Sequence, residues 1–137
     1  MPTFRHWPEP TAAGGASAPR RVLIVDDSSE TREVLRAALE RRGLEILEAP
    51  AVERGLDLVR RYHPDVVVLD ADVADAGDDS QRRACTSACA QDRSSLVVLG
   101  QWPDAPPASS LRVVRKPFHY EPLVRLITDL TERRRAA

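Results

Sequence analysis

Val66-Val67-Val68-Leu69-Asp70 is an unbroken run of four aliphatic residues that stops on a carboxylate. Three of the four are β-branched, which favours a strand. No polar residue alternates with them, the pattern of a strand covered on both faces in a parallel sheet. Two more runs have the same character: Val22-Leu23-Ile24-Val25, ending in Asp26-Asp27, and Leu96-Val97-Val98-Leu99. Leu44 to Glu48 reads as a further strand between the first two, and Val113-Val114 as the heart of a fifth.

The segments between these runs change period. Val34, Leu35, Ala38 and Leu39 predict a helix over 29–42, with Gly43 as its stop. A second helix is expected over 52–62, with Leu56 and Val59 inward and Pro64 closing it. Residues 71–79 are acidic, contain glycine and read as a loop, and 81–90 as a third helix. Leu123, Leu126, Ile127 and Leu130 share one face of a last helix over 121–133. Strands alternating with helices imply βαβ units with right-handed crossovers, hence an α/β fold, open and doubly wound because five strands cannot close an eight-stranded barrel.

At 137 residues there is room for one domain. We expect a disordered tail over 1–20, where Pro2, Pro8, Pro10 and Pro19 interrupt an Ala/Ser/Gly-rich stretch, then a folded body over 21–133 and a short tail over 134–137. Composition is 42% hydrophobic and 30% charged, as in soluble globular proteins. A net charge of −1 argues against nucleic acid as a partner. No apolar run nears the roughly 18–20 residues of a membrane span, and no signal-like stretch opens the chain, so the expected location is the cytoplasm, away from membranes. Cys85 and Cys89 read as small buried apolar residues, since no further ligand lies near them in sequence.

In an open α/β sheet, ligands sit beyond the carboxyl ends of the strands. Those ends carry Asp26-Asp27, Asp70 and Lys116-Pro117. Carboxylates gathered on one rim repel unless a cation relieves them, and an all-oxygen set suits a hard divalent ion such as Mg²⁺. Such an ion can hold a phosphoryl group against a carboxylate, with lysine as a second, compact positive charge. Lys116 is the only lysine in a chain that otherwise uses arginine.

Val25-Asp26-Asp27, Val67-Val68-Leu69-Asp70 and Lys116-Pro117-Phe118, in this order, resemble the receiver domain of response regulators over residues 21–130. The resemblance implies a flavodoxin-like five-stranded parallel sheet of order 2-1-3-4-5. It implies Asp70 as phosphoacceptor, Mg²⁺ on Asp26, Asp27 and Asp70 with the Asp72 backbone carbonyl, Lys116 on the phosphoryl group, and a cis Lys116-Pro117 bond. The expected partners are a histidine kinase or phosphotransfer protein and an output protein of unknown identity. The exposed face of the first helix (Arg32, Glu33, Arg36) is where a kinase would meet the domain, and homodimerisation is left open. The expected role is signalling by protein contact rather than enzymatic turnover. A phosphatase with an aspartyl nucleophile would need a cap domain for which the chain has little room.

The sequence departs from the family at several points. Gly100 follows Leu99 where a Ser or Thr hydroxyl is expected, and Ser94 and Ser95 lie at the other end of that strand. Val113, or Arg112, replaces the aromatic ring of the fifth strand, and Ala74 replaces a proline. Pro103, Pro106 and Pro107 leave a short helix or none between the fourth and fifth strands. Asp72, Asp75, Asp78 and Asp79 make the loop after Asp70 acidic. These departures keep a second reading open: a pseudo-receiver, a binding module of the same fold that does not switch by phosphorylation.

Overall fold

The computed structural model describes residues 19–74, 79–102 and 111–136. Residues 1–18 of the tail expected over 1–20, Asp75, Asp78 and the proline-rich stretch 103–110 lie outside these residues.

The three aliphatic runs form the middle of one parallel sheet. β1 (Arg21–Val25), β2 (Glu45–Ala49), β3 (Val66–Asp70), β4 (Ser95–Leu99) and β5 (Leu111–Val114) lie in the order β2-β1-β3-β4-β5. Register runs Val25 beside Leu69 and Asp70 beside Leu99, so the strand ends meet on one rim. β3 is buried along its whole length, as its lack of alternation requires.

Successive side chains point to opposite faces, and each face has its own core. Val22, Ile24, Val66, Val68, Val97 and Leu99 pack with Leu35 and Leu39 of α1 (Ser29–Glu40) and with Leu123, Ile127 and Leu130 of α5 (Tyr120–Ala136). Leu23, Val25, Val67, Leu69, Leu96 and Val98 pack with Leu58, Val59 and Tyr62 of α2 (Val52–Tyr62). Cys85, Ala88 and Cys89 of α4 (Asp79–Asp92) close that second core. The cysteines are buried and free, as the sequence suggests.

Five local features differ from expectation. Ala71–Ala74 is a helical turn, α3, where a loop was expected. α4 is longer than the predicted 81–90, and α5 runs three residues past Arg133. α1 ends at Glu40, and Gly43 at φ +82° makes the turn into β2. Val34, assigned to the inner face of α1, is 42% exposed. Its neighbour Leu35 takes the core position, because the apolar stripe of this helix is narrow.

Candidate functional site

Asp26 follows β1 directly and Asp70 is the last residue of β3, the neighbouring strand. Both are buried at the rim. Each ties one carboxylate oxygen to an amide two residues on. Ser28 N–H donates to Asp26 Oδ1 at 2.9 Å, and Asp72 N–H donates to Asp70 Oδ1 at 2.8 Å. These turns leave the second oxygen of each carboxylate for other contacts. Lys116, just past β5, donates its ammonium to Asp70 Oδ2 at 2.9 Å. The Lys116-Pro117 peptide is cis. The helix-capping duty after β1 falls to Ser28, whose Oγ accepts from Thr31 N–H at 3.2 Å.

The electrostatics follow from this crowding. Burial pushes the Asp26 acid up from 3.8 to about 6; the Ser28 amide offsets part of this, and the facing Asp70 carboxyl adds to the rise. Burial also works against the charge on Lys116, but the Asp70 and Asp72 carboxylates outweigh it and hold the ammonium above its ordinary value.

The site that forms is therefore Asp26, Asp70 and Lys116, joined by the Asp72 side chain, whose Oδ2 lies 3.3 Å from Lys116 Nζ. Sequence reasoning gave Asp72 a role only through its backbone carbonyl. Asp27 stands apart: it is exposed and makes no hydrogen bond or ion pair among the described residues. Among those residues no three His, Cys, Asp or Glu side chains are grouped to hold a cation. The donor set nevertheless suits a hard cation: two facing carboxylates, one with its acid raised to about 6, are relieved by positive charge, and Asp27 lies next in the chain.

Gly100 closes the rim at the end of β4, where the missing hydroxyl was noted. Its φ is +121°, its N–H donates to Val114 O at 2.8 Å, and a Cβ there would lie 3.1 Å from the Ala71 Cβ. Val113, one of the two residues that could stand at the position of the missing ring, is 38% exposed. It lines a surface depression with Gln101, Trp102 and Arg115.

One functional element escaped the sequence reading. Arg32, expected on the exposed face of α1, is 5% exposed. Its Nε donates to Glu48 Oε1 at 3.1 Å, and its Nη1 donates to the Asp26 main-chain carbonyl. Arg36 is partly buried and donates to Glu48 Oε2 at 2.7 Å. A surface for a kinase on α1 therefore does not include Arg32. The available signal was period: Leu44, Ile46 and Glu48 alternate, which places the glutamate on a core face in need of a cation.

Comparison with known proteins agrees with this geometry. Residues 22–78 match the family model of the response regulator receiver domain. The KDP operon transcriptional regulatory protein KdpE of Escherichia coli is 41% identical over 54 residues, 39% of this chain and 24% of that protein. Protein PilH of Pseudomonas aeruginosa is 44% identical over 50 residues, 36% of this chain and 41% of its own length. The aligned segment thus spans less than half of either relative. In fold, the chain is similar to a CheY-like response regulator receiver domain protein from Methanospirillum hungatei, with TM-score 0.69 and 24% identity over 85% of this chain and 98% of that one. It is also similar to the signal receiver domain of a putative Luxo repressor protein from Vibrio parahaemolyticus, with TM-score 0.68 and 17% identity over 85% and 92%. Residues 22–78 are thus similar to a response regulator receiver domain, and the sheet has the flavodoxin-like order β2-β1-β3-β4-β5. No helix among the described residues is long and apolar enough to cross a membrane.

Proposed function

We propose that this receiver accepts a phosphoryl group on Asp70 from a histidine kinase or phosphotransfer protein and signals by protein contact, without turnover of its own. The observation that carries the reading is the Asp70 carboxylate held between the Lys116 ammonium and the Asp26 carboxyl at the strand ends. In the transfer, an Asp70 oxygen attacks phosphorus while the donor's N–P bond breaks. Lys116 stays on the phosphoryl oxygens as they leave the donor. Asp26, Asp27, Asp70 and the Asp72 carbonyl are the groups that would hold Mg²⁺, which when bound neutralises charge on the transferring group.

A pseudo-receiver is the second reading. It is favoured by Gly100, which offers no hydroxyl, and by Val113, which offers no ring. One assay separates the two. With acetyl phosphate and Mg²⁺, intact mass spectrometry is expected to show one base-labile phosphoryl adduct, lost in Asp70→Asn. No adduct on the wild type, together with no Mg²⁺ binding, would establish the pseudo-receiver.

A further inference from the structure

Arginine is almost never fully buried unless paired. Arg32 is buried, and both oxygens of its buried partner Glu48 are held by guanidinium groups of α1, one from Arg32 and one from Arg36. The Arg32 guanidinium then reaches past Glu48 to the Asp26 carbonyl. That carbonyl stands just beyond the last β1–β3 register pair, Val25 beside Leu69. The Asp26 N–H is fixed on Ala49 O at 3.0 Å. With its carbonyl held on the other side by Arg32, the Asp26 backbone is anchored at both ends. The direction of its side chain follows.

Stability alone is a poor reason for such an arrangement, because buried ion pairs are often replaced by apolar residues with no loss. The bond to the site's own backbone supplies a different reason. We infer that Arg32, braced by Glu48, is a positioning residue: it fixes the Asp26 carbonyl and so aims the Asp26 carboxylate at Asp70. The inference deepens the proposed function and rests on it for the consequence at the cation site; the geometry is independent of it.

Arg32→Ala alone would leave the buried Glu48 charge with Arg36 as its remaining partner and destabilise the chain for reasons unrelated to aim. The test is therefore the double variant Arg32→Met/Glu48→Leu, with Arg36→Ala as a control that removes an α1 charge and leaves the Arg32–Asp26 bond. The first readout needs no metal. In EDTA, the double variant is expected to lose about tenfold of the amide-exchange protection at Ser28, whose N–H bonds Asp26 Oδ1, while β3 amides keep theirs. The second readout is calorimetric titration with Mg²⁺ alone, where the apparent Kd is expected to weaken about tenfold, the usual scale for outer-sphere supports. Arg36→Ala should match wild type in both. Wild-type protection at Ser28 in the double variant overturns the inference, as does Arg36→Ala reproducing its losses. A wild type that binds no Mg²⁺ counts against the proposed function instead, and the Ser28 measurement then decides the positioning role by itself.

Discussion

The Asp26 carboxyl faces the Asp70 carboxyl across the ends of neighbouring strands, and only one of the two has a lysine on it. Asp70 bonds Lys116, whereas Asp26 relies on a single amide and is left as the strained member of the pair. Repulsion and burial thus fall on the residue that does not carry the proposed phosphoryl group.

This asymmetry has a pH signature in the metal-free protein. Between 3.8 and about 6 the folded chain holds a proton on Asp26 that the unfolded chain has released. Stability therefore falls as pH rises through that window and stays lowered above it. Asp26→Asn keeps an oxygen for Ser28 and removes the charge. In EDTA at pH 7.5 it is expected to be more stable than wild type by about 2 kcal/mol, with the difference vanishing near pH 4. Urea melts across the range check this; parallel curves would refute it.

Lys116 and Arg115 are adjacent cations with different surroundings. Lys116 reaches Asp70 and Asp72, while Arg115 is exposed beside the depression at Val113. Lys116→Ala is expected to abolish most of the amide shift changes that beryllofluoride and Mg²⁺ induce, and Arg115→Ala to leave them nearly intact. Equal losses in two-dimensional spectra would remove the role given to Lys116.

Restoring the missing hydroxyl by Gly100→Thr should fail. The φ of +121° is strained for any residue with a Cβ, and that atom would crowd Ala71. A loss of about 1–3 kcal/mol is expected in denaturant melts, with Gly100→Ala close behind. A Thr variant as stable as wild type would show that this backbone relaxes freely.

Burial pushes the Cys85 thiol up to about 11 and the Cys89 thiol to about 12. Both stay neutral at pH 8 and should resist iodoacetamide in the native protein, yet react fully in guanidinium. Because the unfolded thiols ionise near 9.0, stability should also decline as pH climbs above that value. Native labelling of either cysteine at pH 8 would contradict the packing of α4.

The sheet was legible because its three central strands are written as unbroken aliphatic runs, a pattern with few other solutions. Asp26 and Asp70 were legible for the same reason: each stands at the end of such a run, and parallel strands put their ends together; Lys116 was read from its place just past the shorter fifth strand. Asp27 was assigned to the cation from its place at the end of the first strand and from the family resemblance, and the structure leaves its side chain on the outside. Arg32 was misread because helix periodicity at that position looked like ordinary solvated charge, and its partner Glu48 lies on a strand sixteen residues away. Long-range pairing of charges leaves almost no local trace. The turn at Ala71–Ala74 was missed because acidic, glycine-containing composition favours a loop, while contact with the end of β3 decides otherwise.

Lys116 is the sole lysine, and 38% of its side chain is exposed. Apart from the terminal α-amine, amine-selective chemistry therefore has a single address on this molecule, and it is the proposed phosphoryl pocket. Reductive methylation with ¹³C-formaldehyde would install a reporter there without mutation and keep the positive charge. The natural scarcity of one amino acid makes this protein its own labelled probe.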